Sequence, residues 1–347
     1  PEIGRFVTSR YYMSRYPRWL ERFNDDVMPS ISRVPIWESE VPEGERWLAR
    51  PDSAAYEGDG VHTVFPHVSA RENPPDAMQA HNAWAYDQPR ADAAVLALAR
   101  TAIDELDLGQ RDEQDYLAIS LSATDRVGHA YGPLSQEQLS NLVHLDRALG
   151  QFLDYLDERV GEGRWVLGMT GDHGVVTIPE AQVELGLNPQ ARRILNDEVN
   201  PRLSQALARG SAFETDPDRI AEAVARLVEE RGLVARAYTH RELTRGMAAD
   251  SFAVFFRNSH YPGRAWGPLS RWGVEVRFGD GDLVGFPTGT NHESTYWYDR
   301  WVPMIFLGAG VRKGRSDTSV YTVDFAPTLA ALAGIPIPDD LDGRNIY

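Results

Sequence analysis

The chain has 347 residues, of which 42% are hydrophobic and 25% charged, and a formal net charge of −16. This length and balance suit one large globular domain or two medium ones; the acidity argues against a nucleic-acid-binding surface, which needs a basic stripe, and no apolar run approaches the roughly 18 residues that cross a bilayer. There is no cysteine, so disulfides and thiolate metal sites are excluded and His, Asp and Glu remain as donors for a first-row metal.

Residues 1 to about 75 are rich in aromatics and proline without clean periodicity, which predicts irregular structure with short helices, one of them around Pro17 to Phe23. Over Arg90 to Leu106, apolar residues at helical spacing (Ala94, Val95, Leu98, Ile103, Leu106) predict an amphipathic helix ending before Gly109. The apolar run Tyr116 to Leu121 reads as a buried strand. Ser135-Gln-Glu-Gln138 reads as a capping box that opens a helix whose apolar face is Leu142, Leu145, Leu149, Phe152, Leu153, Leu156 and Val160. Trp165 to Met169 is the next expected strand. Strands alternating with such helices predict a parallel α/β sheet, with ligands beyond the strand carboxyl ends.

From about 181 to 285 the pattern changes. Helices are expected over Asn188 to Ala208 and Asp218 to Arg231, then β-like runs at Phe252 to Phe256 and Gly273 to Phe278, so the region reads as an inserted cap. The alternation resumes with a strand at Val302 to Leu307 and a helix from about Asp324 to Ala333, with Pro327 in its first turn and Gly334 after it.

Three clusters of carboxylate and imidazole stand beside the expected strands. Asp125 and His129 are four residues apart, a step that returns to one face of a turn or short helix. Asp172 and His173 are adjacent and flanked by Gly171 and Gly174, and His292 lies in the turn Thr288-Gly-Thr-Asn-His292. A catalytic metal needs donors that converge from separate strand ends and positions left open to water or substrate. Any one cluster is weak, but three beside strands point to a metal-dependent hydrolase. His62, His67, His81, His144, His240 and His260 are read as structural, with His67 and His260 the two that could line a cleft.

The order Asp125-x-x-Gly-His129-x-x-Gly-Pro, Asp172-His173-Gly, Gly-Thr-Asn-His292 and Tyr298-Asp299-x-x-Val-Pro closely resembles the alkaline phosphatase superfamily. The branch it resembles most contains the PafA-type phosphatases and the type I phosphodiesterase/nucleotide pyrophosphatases. The tail from Val323 to Pro336, with Asp342-Gly-Arg, and the opening Gly4 to Met13 fit the same pattern, so the resemblance covers most of the chain. It implies an α/β sandwich with a mostly parallel central sheet flanked by helices, a core from 1–180 and 286–347, and the cap at 181–285. It implies two divalent metal ions, commonly zinc, one held by Asp125, His129 and His292 and the other by Asp172 and His173. Two ions about 4 Å apart suit in-line displacement at phosphorus, here of a phosphate-ester small molecule through a Thr or Ser phospho-enzyme, in a periplasmic or secreted protein.

In the family the nucleophile, one Asp ligand and the phosphate-gripping Lys and Arg precede the segment that Tyr11-Tyr12-Met13 resembles. The nucleophile is therefore expected upstream of Pro1, in an N-terminal segment of the same protein. Thr8 and Ser9 fall where the family is non-catalytic, and Glu293 stands where glycine often follows the last histidine. The resemblance leaves monoesterase and diesterase undivided. A sulfatase-like enzyme, and an inert metal-binding or interaction module that keeps the fold, are the alternatives.

Overall fold

The computed structural model describes residues 4–58, 60–69, 77–195, 216–247, 250–261, 263, 269–292 and 294–347. The chain divides into two compact units, one of Pro1–Ala55, Asp59–Asp172 and Val302–Tyr347, the other of Tyr56–Gly58 and His173–Trp301. Segments 173–180 and 286–301, placed with the core in the sequence reading, thus group with the second unit. Among the described residues no helix is long and apolar enough to cross a membrane.

In the first unit, the Arg90–Leu106 helix has the expected bounds. Its buried stripe is Asp92, Leu96, Ala99 and Ile103, at spacings of four, three and four, and it packs with Phe152 of the Gln136–Leu156 helix. The chain leaves this helix at Asp107, whose φ of 50° turns the backbone before Gly109. Ser135 caps the second helix by accepting from the Gln138 amide at 3.0 Å. The Gln138 side chain does not close a capping box; it donates instead to the Thr124 carbonyl at 3.1 Å. The expected apolar face holds only in the carboxyl half of that helix. Its amino half buries Gln136, Glu137, Gln138, Ser140 and Asn141, while Leu142 is exposed.

Among the described residues this unit has two antiparallel strand pairs, Ile36–Trp37 with His67–Val68 and Val166–Thr170 with Met304–Gly308. The alternation of strand and helix predicted parallel pairing. The connection between the Val166–Thr170 and Met304–Gly308 strands runs through His173–Trp301 of the second unit, not a single helix, so the crossover geometry that enforces parallel neighbours does not apply. The Phe325–Leu332 helix packs on the Val166–Thr170 strand, and a Cβ at Gly168 would meet the Phe325 ring at 2.7 Å. Tyr116–Leu121 has no regular secondary structure and pairs in no ladder among the described residues. Ile119 and Leu121 pack on the Phe152 cluster, whereas Tyr116 and Leu117 are exposed. A run buried on one side only needs no ladder partner to be apolar.

In the second unit, the Pro217–Glu230 helix lies on an antiparallel pair, Arg236–Thr239 with Val274–Arg277. The core between them is Ala221, Val224, Ala225, Val228, Ala237 and Val274. Two expectations fail here. Of the helix expected over 188–208, Arg193–Ile194 instead pairs in parallel with Leu283–Val284, and residues 196–208 lie outside the described set. The β-like run Phe252 to Phe256 falls in the helix Ala253–Ser259. Asp250 Oδ1 accepts from the Phe252 and Ala253 amides at 2.9 and 3.2 Å, so the first turn is capped in spite of its β-prone composition.

Candidate metal centre

The first unit presents Asp125 and His129 on the Ala123–Tyr131 helix, in its first and last turns. His129 Nε2 lies 3.2 Å from Asp125 Oδ1, and both side chains are partly exposed. The i, i+4 step thus brings the two donors together as the spacing implied. The helix is held from three directions. Asp92 Oδ1 accepts from the Ala123 amide at 3.0 Å, Gln138 reaches the Thr124 carbonyl, and Asn141 donates to the Thr124 hydroxyl at 3.1 Å. Its apolar side, Val127 and Tyr131, packs on Trp37. His67 stacks on Tyr131 and faces Glu137 at 3.0 Å, with both side chains fully buried, so its role in this unit is structural.

Asp92 is a site-supporting residue that the spacing argument missed. Burial raises its pKa, against the opposing amide hydrogen bonds from Ala123 and Ser122 and the charge of His144. The signal was present in the sequence, since this carboxylate interrupts an otherwise apolar helical stripe. Asp172 closes the first unit two residues past the Val166–Thr170 strand, and it is exposed.

The second unit presents His173 and His292 on irregular backbone. Their rings stack at 3.5 Å with an interplanar angle of 19°. His173 Nδ1 is 2.9 Å from the Gly174 carbonyl, and the Gly174 amide donates to the Asp299 carbonyl at 2.8 Å. Only glycine fits there, because a Cβ would come within 1.9 Å of the Tyr298 carbonyl oxygen. Thr290, two residues before His292 and buried, donates its hydroxyl to the Val176 carbonyl at 2.7 Å. That bond ties the His292 loop to the segment that carries His173. Thr288 and Gly289 anchor the same loop to Gly58 and Tyr56, each at 2.7 Å.

The Asp299 carboxylate is near enough to both imidazoles to feel their charge. Burial raises its pKa, opposed by hydrogen bonds from Ser294 and by the charges of His292 and His173. Oδ2 accepts from the Ser294 amide at 2.7 Å, while Oδ1 is buried without a hydrogen-bond partner among the described residues. A buried carboxylate near two imidazoles is the arrangement that orients metal-bound histidines. Glu293, the position that departs from the family pattern, lies outside the described residues.

Two pairs of donors are therefore preorganised, Asp125 with His129 and His173 with His292, each within its own unit. The sequence matches the model of the type I phosphodiesterase / nucleotide pyrophosphatase family over residues 7–266. The chain belongs to that family, and so to the alkaline phosphatase superfamily, and its fold is the α/β fold read from the sequence. Among its relatives, alkaline phosphatase PhoV of Synechococcus elongatus is 27% identical over 365 residues, covering 99% of this chain and 64% of that protein. Alkaline phosphatase PafA of Elizabethkingia meningoseptica is 26% identical, covering 99% of this chain and 65% of the relative. The solved structure of wild-type PafA superposes with a TM-score of 0.81 at 23% identity, over 99% of this chain and 68% of that one. The chain thus spans about two thirds of the length of these relatives.

Proposed function

We propose that this chain is the metal-binding portion of a phosphoric-ester hydrolase. The single observation that carries the reading is family membership over residues 7–266, in a chain whose candidate donors are already paired. The donor set is two carboxylates and three imidazoles, Asp125, His129, Asp172, His173 and His292, which is the mixed N/O chemistry that zinc accepts. The buried Asp299 carboxylate, close enough to His173 and His292 to feel their charge, is a further sign of fit, since outer carboxylates commonly support metal-bound imidazoles. In this reading Asp125, His129 and His292 hold one ion, and Asp172 and His173 contribute to a second. Bound zinc would supply Lewis-acid stabilisation of the oxygens that enter and leave phosphorus.

The roles of the chain's own residues follow from their supports. The Ala123–Tyr131 helix fixes the angle between Asp125 and His129, and Asp92, Gln138 and Asn141 keep that helix from fraying. Gly174 and Thr290 keep the two stacked imidazoles in register. Thr8 and Ser9 fall where the family is non-catalytic, and on that resemblance alone the nucleophile is expected upstream of them. The substrate is a small phosphate ester, and the setting is periplasmic or secreted, as the family resemblance implies.

The test is a side-by-side assay of these 347 residues and of the full-length gene product, both zinc-loaded, with p-nitrophenyl phosphate and its bis ester. The expected result is turnover by the full-length product, lost in its Asp125→Ala variant, and negligible turnover by the 347 residues at full metal occupancy. Substantial turnover by the 347 residues would overturn the placement of the nucleophile. Zinc binding without hydrolysis of either ester by the full-length product favours the inert metal-binding module.

A further inference from the structure

A second set of metal-type donors lies in the second unit and shares no residue with those above. It comprises His240, His260 and Glu275, whose donor atoms all fall within 4.8 Å of one another. Each comes from a different element. His240 opens the His240–Arg245 helix directly after the Arg236–Thr239 strand. Glu275 lies on the neighbouring strand, opposite Tyr238, and His260 ends the Ala253–Ser259 helix. In sequence these residues belong to no recognisable ligand motif, and sequence analysis assigned both histidines structural or cleft-lining roles.

The backbones that carry the donors are fixed. The His240 amide donates to the Gly273 carbonyl at 2.7 Å. Thr239 and Glu242 form a full capping box at the start of the His240 helix. Glu275 Oε1 accepts from the buried Ser270 hydroxyl at 2.8 Å and lies 3.1 Å from His240 Nε2. The last distance is close to the ~3.3 Å edge of a tetrahedron whose ligands stand about 2.0–2.1 Å from its centre. The His240 and His260 rings approach to 4.6 Å at 53°, too tilted for a stack but suited to two nitrogens facing one point.

A hydrogen-bond network alone does not account for the third member. His260 Nε2 is buried and has no hydrogen-bond partner among the described residues. A buried ring nitrogen without a partner is unfavourable unless something outside the chain satisfies it. Burial first, and then the neighbouring His240, hold the His260 ring below the ordinary imidazole range, with Glu275 acting the other way. The neutral ring offers a lone pair, which is what a cation uses and what an ammonium or a second N–H donor would also seek.

We infer that His240, His260 and Glu275 form a separate binding site for a borderline divalent cation of the zinc type, distinct from the proposed catalytic centre. Two imidazoles and one carboxylate favour zinc over calcium or magnesium, which prefer all-oxygen sets. The Ser270 hydroxyl is the outer partner that orients the Glu275 carboxylate. With Glu275 on one strand of the pair, His240 directly after the other and His260 just past the end of the Ala253–Ser259 helix, the ion acts as a clamp that ties this helix end to the strand pair. A clamp of this kind couples metal binding to the stability of the unit.

The experiment is zinc titration of the full 347-residue chain against a chromophoric chelator, after exhaustive metal removal. It compares wild type, Asp125→Ala/His292→Ala, His260→Gln, and the three changes together, with folding followed by circular dichroism. The double variant is expected to keep one zinc per chain at the new site, with a zinc-dependent rise in melting temperature. Adding His260→Gln should abolish both, weakening zinc by more than the roughly 10–100-fold that loss of an outer partner costs. If the double variant does not fold, His260→Gln alone should lower wild-type zinc content by one equivalent. Unchanged zinc content on replacing His260 would overturn the inference, as would a folded double variant that binds none. A lower melting temperature with no change in zinc content would assign the cluster to packing and hydrogen bonding only. Because the new site is read through Asp125→Ala/His292→Ala, its failure is distinguishable from failure of the catalytic reading.

Discussion

The two units hold their imidazoles by different means. In the first, Asp125 and His129 ride on one regular helix, and the i, i+4 step sets their separation before any tertiary contact forms. In the second, His173 and His292 are 119 positions apart in number, on irregular backbone, and tertiary hydrogen bonds, among them those of Thr290 and Gly174, hold the segments whose rings stack at 3.5 Å. A helix-borne pair should tolerate the loss of any one support, because the remaining backbone bonds keep the helix. A loop-borne pair should not. The contrast is between geometry carried locally and geometry carried by a few long-range bonds.

The largest expected effect is at Gly174. Gly174→Ala drives a methyl into the Tyr298 carbonyl oxygen at 1.9 Å, against backbone that cannot step aside. We expect destabilisation of about 3 kcal/mol or more, together with loss of tight zinc binding, measured by urea unfolding and metal content. A near-neutral result would mean that the His173 loop is set by something other than this close approach.

A smaller effect is expected for Thr290→Val, which keeps the shape and removes the donor to the buried Val176 carbonyl. The cost should be about 1–2 kcal/mol, with zinc affinity falling as His292 loosens. The matching change in the first unit is Gln138→Ala, which removes one of three supports of the Ala123–Tyr131 helix and should cost no more than about 1 kcal/mol with zinc affinity little changed. If the helix variant loses more metal affinity than the loop variant, the contrast between the two pairs is wrong.

The smallest and most diagnostic effect is in pH dependence. Burial raises the Asp92 pKa in the folded chain. The native state therefore holds this proton more tightly than the unfolded state, and the stability associated with it is present below the ordinary carboxylate range. That stability is lost as pH rises through the raised value. Asp92→Asn keeps an oxygen for the Ala123 amide and cannot ionise. Its stability relative to wild type should therefore increase as pH is raised from 4 to 7, measured by denaturant unfolding. A difference that does not vary with pH would show that Asp92 is not held in this way.

How much of this was legible in the sequence follows the same division. The Arg90–Leu106 helix was read to the residue because its apolar stripe repeats at 3.6. The Asp125/His129 pair was read from its spacing. Phe252 to Phe256 was misread because composition favours a strand, while the Asp250 cap that decides for helix depends on Tyr238 holding Asp250 at 2.9 Å from across the unit. The pairing of Val166–Thr170 with Met304–Gly308 was misread because the connection rule concerns direct crossovers, and this connection is a whole unit. The His240, His260 and Glu275 cluster has no sequence signature, since a helix end 20 positions after His240 and a strand residue 35 positions after it supply the other donors. Asp299 was visible in the quoted Tyr298-Asp299 pair, but its place near His173 and His292 required the tertiary fold.

The central claim is that Asp125, His129, Asp172, His173 and His292 are metal ligands. Crystals of the zinc-saturated chain, measured at the zinc absorption edge, test it directly through anomalous difference density. The account predicts peaks about 2.0–2.2 Å from the donor atoms of these five side chains, and a separate one at His240, His260 and Glu275. Zinc density that avoids all five residues in a saturated crystal would contradict it.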